Sequence, residues 1–323
     1  MIQVFDRSLW VGRDDSQESG DVRRLFQIVE GATPEHLPPR SAVLLGFACD
    51  AGVARNKGRI GAAQGPTVIR KILSGLPAHH HEKLFDCGDV VCMGDELESA
   101  QQLLGDQVRQ ILSQSATPVI LGGGHEIAWG SYQGLKHWLT QQEVSTGLPR
   151  KLLILNLDAH LDLRSSWPAN SGTPFAQIAA DCQQDNRELK YACWGVSVLS
   201  NTPALFERAA EINADVILDQ QLQERHLEQA LSRLDRLLAH ADDVYLTIDM
   251  DVFPANVVPG VSAPAAFGVP LAVVEALALK VKQSGKMRLA DLAEFNPVFD
   301  TDHHSARVAA RLVWLLLGTN SLK

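Results

Sequence analysis

The sequence lacks several features that would assign it to particular classes of protein. It has no uninterrupted apolar run of about 18 residues, so we expect no membrane-spanning helix. It has no cluster of lysine and arginine, and its net charge is −9. Because phosphate binding needs clustered basic side chains, we expect no nucleic-acid partner. The N-terminus has no charged start followed by an apolar core, so we expect no secretory signal.

Cysteine is also scarce. The chain contains five cysteines, and none of them forms a CxxC pair. A disulfide framework or a zinc-thiolate site is therefore not expected, and we assign the cysteines no role. Unpaired cysteines in a chain of this size fit the reducing cytoplasm, which is the predicted location.

Two patterns alternate along the 323 residues, of which 46% are hydrophobic. Short apolar runs predict strands, and longer segments with helical periodicity predict helices. Their alternation predicts an α/β fold with a mainly parallel sheet that helices cover on both faces. The predicted strands are 42–48, 118–121, 152–157, 192–198, 215–218, 244–248 and 287–292, and the predicted helices are 66–73, 98–113, 127–139, 203–212, 224–241, 271–283 and 306–317.

We find no convincing linker, so we expect a single domain over residues 1–323. Residues 1–40 are less regular and contain Pro34, Pro38 and Pro39, which predicts a peripheral N-terminal extension. Residues 141–150 are polar and predict a loop. The histidines at 79–81 also lie in a polar segment, which favours a solvated loop over a metal site.

Asp158, His160 and Asp162 directly follow the predicted strand 152–157 at alternate positions. In an extended chain, alternate side chains point to the same side. Isolated charges at the end of a buried strand are costly to bury, and a metal ion would offset that cost. We therefore predict a metal site here rather than a solvated turn.

Two other strand ends carry possible ligands. Three glycines follow strand 118–121 and place His125 at a strand-to-helix turn, although such a loop could also cradle a phosphate. Asp249 and Asp251 follow strand 244–248 at alternate positions, where an aspartate-rich turn is the alternative. Because ligands of open parallel sheets bind beyond the carboxyl ends of the strands, we expect the three sets to converge.

The three sets together supply four carboxylates and two imidazoles. Oxygen-rich ligation favours a hard divalent ion, and the imidazoles allow manganese. Six ligands are too many for one catalytic ion with an open position but suit two ions roughly 3.5–4 Å apart. A hydroxide bridging such a pair is a nucleophile at neutral pH, so we expect metal-assisted hydrolysis. Glu294, after strand 287–292, is either an acceptor for a cationic substrate group or a surface acid.

The motifs GGGHE (122–126), DAHLD (158–162), DMD (249–251) and EFNP (294–297) in this order resemble the ureohydrolase family of arginases, agmatinases and formimidoylglutamases. Residues 46–73 resemble that family's first strand, loop and helix, and residues 87–90 resemble its GDV turn. The resemblance covers most of the chain. It implies a three-layer α/β/α sandwich and a binuclear manganese centre, and it allows a homo-oligomer.

The resemblance also implies a role for each motif residue. Asp158 and Asp249 would bridge two Mn²⁺ ions. Asp162 would pass a proton to the leaving amine, and Glu294 would help stabilise the tetrahedral species. One ion would be held by His125, Asp158, Asp162 and Asp249, and the other by Asp158, His160, Asp249 and Asp251.

Departures from the arginase pattern resemble the formimidoylglutamases. Phe175 occupies the place where arginases and agmatinases usually carry a proton-shuttling histidine. Asp251 is followed by Val-Phe-Pro254 instead of the usual aspartate-proline. The segments 55–59, 200–202 and 259–264 also resemble formimidoylglutamases. Any proton relay to bulk solvent must then be different or unnecessary.

Arg164 lies two residues past Asp162, where arginases carry a neutral asparagine near the substrate's α-carboxylate. An arginine fork binds a carboxylate with two hydrogen bonds, and N-formimidoyl-glutamate has two carboxylates. We therefore expect hydrolysis of N-formimidoyl-L-glutamate to L-glutamate and formamide. Arg164, Ser171, Asn56 and Arg59 are the candidate substrate-binding residues, with a surface role for Arg164 as the alternative.

Three other functions remain open. Another amidine hydrolase, such as a guanidino-acid hydrolase or an agmatinase, would use the same metal ligands. Two-metal phosphoesterases also use a DxH motif, but there it precedes the GNHE-like turn, whereas here GGGHE comes first. A binding protein with a relic site would have little reason to keep six ligands.

Overall fold

Ten strands form one sheet in the computed structural model, which describes residues 1–79 and 81–318. The strands are β1 (Ile2–Gln3), β2 (Val29–Gly31), β3 (Ala42–Ala48), β4 (Leu84–Val91), β5 (Thr117–Leu121), β6 (Leu152–Leu157), β7 (Leu189–Val196), β8 (Asp215–Leu218), β9 (Asp243–Asp249) and β10 (Met287–Ala293). Their order is β1-β4-β3-β5-β10-β9-β6-β7-β8, and β2 also pairs with β4. Only the β1–β4 pair is antiparallel among the described residues.

Helices cover both faces of this sheet. They are α1 (Leu25–Ile28), α2 (Ala51–Arg55), α3 (Gly65–Ser74), α4 (Leu97–Ser113), α5 (Ile127–Thr146), α6 (Pro174–Gln184), α7 (Pro203–Glu211), α8 (Leu227–His240), α9 (Leu271–Gln283) and α10 (His304–Leu317). Residues of α1, α3, α8, α9 and α10 share one apolar core with the sheet, and residues of α4, α5, α6 and α7 share the other. The predicted three-layer α/β/α fold with a mainly parallel sheet is confirmed.

The strand β4 corrects one prediction. Residues 87–90, which resemble a turn, lie inside this strand, although Gly88 has a φ of +78°. This strand was not predicted from the sequence, because two carboxylates, Asp86 and Asp89, interrupt its apolar pattern. Both are buried and pair with the buried guanidinium of Arg70 from α3, at 2.8 Å and 2.6 Å. A buried charge is tolerated when it is paired in this way.

Three other local predictions need correction. Helix α5 continues to Thr146, so most of residues 141–150 is helical and not a loop. Helix α6, with Pro174 in its first turn, was not predicted. His81 is buried against Trp314 and is not solvated, and His80 lies outside the described residues.

The first 40 residues lie along one edge of the sheet, where β1 and β2 pair with β4. They also contribute to the core, because Trp10 is buried and its indole Nε1 donates to Asp86 Oδ2 at 2.9 Å. None of the five cysteines is disulfide-bonded. Among the described helices, none combines the length and the apolar character that crossing a bilayer requires.

Candidate metal centre

Four adjacent strands place the candidate site at one edge of the sheet. β5, β10, β9 and β6 are neighbours in that order. His125 follows β5, Asp158 follows β6 and Glu294 follows β10, while Asp249 ends β9. Because these strands are parallel, their carboxyl ends meet, and the polar residues that follow them come together.

The first group of side chains surrounds one imidazole nitrogen. The Nδ1 atom of His125 lies 3.2 Å from Asp158 Oδ2, and it is 3.1 Å from one oxygen each of Asp162 and Asp249. The four candidate ligand atoms lie within 4.8 Å of one another. This set is the one that the sequence resemblance implies for the first ion.

The second group shares Asp158 with the first. His160 Nδ1 lies 2.9 Å from Asp251 Oδ2 and 3.6 Å from Asp158 Oδ1. The two oxygens of Asp158 therefore face different groups. Asp249 is not part of this second cluster of ligand atoms. Its Oδ1 accepts a hydrogen bond from the Asp251 amide at 2.8 Å.

The electrostatics of the two imidazoles reflect the surrounding acids. Burial by itself would lower the pKa of His125, but the carboxylates of Asp158, Asp162 and Asp249 raise that pKa well above its ordinary value. For His160, burial is likewise outweighed by Asp251 and Asp158, which raise its pKa. The pocket thus attracts positive charge strongly.

The carboxylates repel one another. Burial and the neighbouring charges of Asp251 and Asp158 raise the pKa of Asp249 well above its ordinary value, and burial and Asp158 raise that of Asp162. Asp158 differs, because the two imidazoles overcome the effect of burial and hold its pKa low. Divalent cations would remove this repulsion without the need to protonate any acid.

The donor set fits two metal ions. Four carboxylates balance the charge of two divalent cations, and oxygen and imidazole ligands suit manganese. His125 Nδ1 and Asp251 Oδ1 are buried and have no hydrogen-bond partner among the described residues. Buried polar atoms without partners are rare in folded proteins, and metal ligation would satisfy both.

Local backbone features hold the site in shape. A Cβ at Gly123 would clash with the carbonyl oxygen of Cys49, so only glycine fits there. Asp162 and Glu294 adopt left-handed backbone conformations, with φ of 47° and 64°. The His125 amide donates to Glu294 Oε1 at 2.9 Å, which fixes the ligand loop against the end of β10.

Residues behind His125 were not predicted from the sequence. Its Nε2 lies 3.0 Å from Thr247 Oγ1, in the middle of β9. Asp291 is the neighbour of Thr247 on β10, and it accepts hydrogen bonds from Ser131 at 2.9 Å and from Tyr245 at 2.5 Å. Thr247 precedes Asp249 by two residues and so points to the same side of the strand, which was the available signal.

Glu294 has an unusual electrostatic environment. It is buried, and burial together with the nearby Glu126 carboxylate raises its pKa to about 8. Burial also raises the pKa of Glu126 to about 7. Glu126 Oε1 accepts a hydrogen bond from the Gly52 amide at 2.8 Å, which attaches helix α2 to the GGGHE loop.

An open space of about 320 Å³, which we call the metal cleft, lies above these carboxylates. Its floor includes Asp162, Asp249, Asp251 and Glu294. Its walls include all four predicted substrate-binding residues: Asn56, Arg59, Arg164 and Ser171. Lys57, Ser200 and Ser262 also line it and were not predicted.

Three of the predicted substrate-binding residues lie together on one wall. Asn56 Nδ2 donates to Ser171 Oγ at 3.1 Å. A Cβ at Gly172 would lie 2.8 Å from Arg164 Cδ and 3.2 Å from Asn56 Nδ2, so the absence of a side chain at this glycine lets both groups approach. We call Asn56, Arg164 and Ser171 the donor cluster.

Arg59 and Phe175 have different surroundings. The Arg59 guanidinium donates to the carbonyls of Val261 and Ser262 and stacks on Phe299, 3.8 Å from the ring centroid. Phe175 is buried, packs 5.3 Å from the His125 ring and is not among the residues that line the metal cleft.

Comparison with known protein families and sequences gives matches over most of the chain. The sequence model of the arginase family matches residues 40–318. A formimidoylglutamase from Cupriavidus pinatubonensis is 53% identical over 321 residues, which cover 98% of this chain and 100% of that protein. A formimidoylglutamase from Paraburkholderia xenovorans is 51% identical, with coverage of 97% and 99%.

Solved structures show the same fold. The formimidoylglutamase from Bacillus subtilis superposes with a TM-score of 0.77 at 20% identity, covering 94% of this chain and 95% of that one. The Trypanosoma cruzi formiminoglutamase with Mn²⁺ has a TM-score of 0.72 at 22% identity, with coverage of 86% and 92%. The similarity therefore extends over nearly the whole architecture.

Proposed function

This chain belongs to the arginase family, and from that membership we propose that it hydrolyses N-formimidoyl-L-glutamate to L-glutamate and formamide. The relatives that are about half identical over nearly their full length are formimidoylglutamases. The observation that carries the proposal is the convergence of six buried or half-buried metal-ligand side chains beneath a cleft that basic residues line.

The metal cofactor in this proposal is a pair of Mn²⁺ ions per chain. His125, Asp158, Asp162 and Asp249 would hold one ion, and His160, Asp251 and the second oxygen of Asp158 would hold the other. Asp249 would complete the second set if its carboxylate turned slightly from its present hydrogen bond. When bound, such a pair polarises the amidine and lowers the pKa of water to near neutrality.

The reaction adds water to the formimidoyl carbon and breaks its bond to the glutamate nitrogen. That nitrogen must gain a proton as it leaves. We expect Asp162 to take a proton from the adding water and to deliver it to that nitrogen, because the Asp162 carboxylate lines the cleft beside the candidate metal ligands. Glu294, on the same floor, would accept a hydrogen bond from the N–H groups of the amidine and orient it.

The donor cluster would bind a substrate carboxylate. Arg164 supplies a guanidinium, and Asn56 and Ser171 supply neutral donors at the same wall. Charge-assisted hydrogen bonds of this kind are stronger than neutral ones and fix orientation. This arrangement favours an amidine that carries carboxylates over agmatine, which has none.

The direct test is an assay of product release by purified protein loaded with Mn²⁺. We expect formamide from N-formimidoyl-L-glutamate and little or no urea from arginine, agmatine or a guanidino acid. Robust urea release with no formamide would replace the proposal with another activity of the same family. Turnover of an aryl phosphate in the same preparation would instead indicate a phosphoesterase.

We also infer that the enzyme acts in the cytoplasm. The five unpaired cysteines, four of them buried, are compatible with a reducing compartment.

A further inference from the structure

The basic side chains that line the metal cleft differ in whether they already have hydrogen-bond or ion-pair partners. Lys57, Arg59 and Arg164 line the cleft. Arg59 already donates to two backbone carbonyls and stacks on Phe299. In contrast, the ammonium group of Lys57 and the guanidinium of Arg164 make no hydrogen bond or ion pair within residues 1–79 and 81–318. Two cations are therefore available to a ligand in the cleft.

The backbone at Lys57 is unusual. Helix α2 ends at Arg55, and Lys57 follows in a left-handed conformation with φ of 62°. Glycine or asparagine is the usual residue at such a position, because a larger side chain is strained there. Asp162 and Glu294 share this strained conformation and lie on the floor of the same cleft. Strained residues of this kind concentrate at functional sites.

The chemistry of a dicarboxylate substrate matches two separate cations. In N-formimidoyl-glutamate the α-carboxylate is one carbon away from the reacting nitrogen, whereas the distal carboxylate is three carbons away. Arg164 is two residues from Asp162, and its amide is held by the Gly172 carbonyl at 2.9 Å, so the donor cluster lies close to the floor. Lys57 is exposed at the wall of the same cleft, and its long, flexible stem can reach a second carboxylate.

We propose that Lys57 binds the distal carboxylate of the substrate and thereby selects dicarboxylate amidines over amidines with a single carboxylate. This inference rests on the proposed function and adds a specificity residue to it. The donor cluster then binds the α-carboxylate. Lys57 is exposed and has no acidic partner within the described residues, so its ammonium can pair with the substrate carboxylate without breaking an existing ion pair.

The test replaces Lys57 with glycine, which removes the ammonium and suits the left-handed backbone. Thermal unfolding should occur at the same temperature or higher. For N-formimidoyl-L-glutamate, KM should rise about 10- to 100-fold with kcat little changed, as expected for a lost charge-assisted hydrogen bond. For N-formimidoyl-L-glutamine, whose distal group is a neutral amide, kcat/KM should change by less than about threefold. Lys57→Arg should restore most of the affinity for the dicarboxylate.

A matched control separates this effect from general consequences of the substitution. Arg40 is another basic residue in a left-handed conformation, with φ of 65°, and it does not line the cleft. Arg40→Gly should leave both KM values unchanged. The inference is overturned if Lys57→Gly leaves KM for the dicarboxylate unchanged, or if it weakens both substrates equally. Failure of the wild-type protein to release formamide would instead overturn the proposed function.

Discussion

Asp158 and His125 show how single residues organise the candidate metal centre. The two oxygens of Asp158 face different imidazoles, at 3.2 Å and 3.6 Å, so one side chain joins the two ligand groups. His125 presents Nδ1 to three carboxylates and Nε2 to Thr247. A ligating imidazole needs a partner for its second nitrogen, because that partner fixes the tautomer and the orientation of the ring.

Thr247→Val tests this positioning role. Valine keeps the shape of the buried side chain but cannot form the hydrogen bond with His125 Nε2. We expect manganese affinity, measured by calorimetric titration of the metal-free protein, to fall about 10- to 100-fold. A fall in activity at subsaturating metal that excess Mn²⁺ largely restores would follow.

Thr117→Val is the matched control for that measurement. Thr117 begins β5, at the end of the strand away from the site, and its hydroxyl makes no hydrogen bond within the described residues. Its replacement should leave manganese affinity unchanged. Equal affinities for wild type and Thr247→Val would contradict the positioning role of Thr247.

At the scale of helices and strands, sequence periodicity predicted the elements that form the centre of the fold. β3, β6 and β8 have the predicted bounds, and the ligand residues follow strands that were predicted from apolar runs. The strands β1 and β2 at the edge of the sheet were harder to predict from the sequence, because they are only two and three residues long. In β4, Asp86 and Asp89 interrupt the apolar pattern, and tertiary contacts, above all with Arg70, explain their burial.

The sequence predicted some residues of the candidate site and missed others. Five of the six candidate ligands occur at alternate positions at the ends of apolar strands, and His125 follows a glycine-rich turn, so local sequence was enough to propose them. Thr247 carries only the signal that it shares a strand face with Asp249. Asp291 and Lys57 carry none, because their proposed roles depend on neighbours in the sheet or on backbone conformation. Arg59 lines the cleft, but the sequence did not show that its guanidinium also holds the 261–262 segment.

The contact between helices α9 and α10 predicts a pH dependence of stability. Lys282 on α9 donates its ammonium to the carbonyl of Leu315 near the end of α10. Burial lowers the pKa of Lys282 from its usual 10.5 to about 8. Below pH 8 both the folded and the unfolded chain carry this charge, and the folded chain bears the cost of burying it. Between pH 8 and 10.5 the unfolded chain binds the proton more, so the free energy of unfolding rises with pH.

Lys282→Met isolates this contribution. Relative to the variant, the wild-type free energy of unfolding should increase by on the order of 1 kcal/mol from pH 8 to pH 10.5, which allows for partial exposure of the side chain. Chemical denaturation at intervals across this range measures the difference. Lys71→Met, at an exposed position of α3, provides the control. A difference between wild type and Lys282→Met that stays constant or falls with pH would contradict the prediction.

At the scale of the whole molecule, the fold brings distant segments to one edge of a single sheet. His125, Asp158, Asp249 and Glu294 are far apart in the sequence, yet they lie at the ends of neighbouring strands. The same edge carries the donor cluster and Lys57, so the candidate metal ligands and the proposed substrate-binding groups share one cleft. The family membership and the full-length similarity to formimidoylglutamases are consistent with this common architecture.

The central claim is that four aspartates and two histidines of this chain hold two metal ions, with Asp158 between them. The most direct measurement is the number of manganese ions per chain. The protein is saturated with Mn²⁺, unbound Mn²⁺ is removed, and the bound metal is quantified by elemental mass spectrometry. We predict two ions per wild-type chain and fewer than one in Asp158→Ala, with activity lost in parallel. A wild-type content of one ion, or two ions retained by folded Asp158→Ala, would contradict the claim.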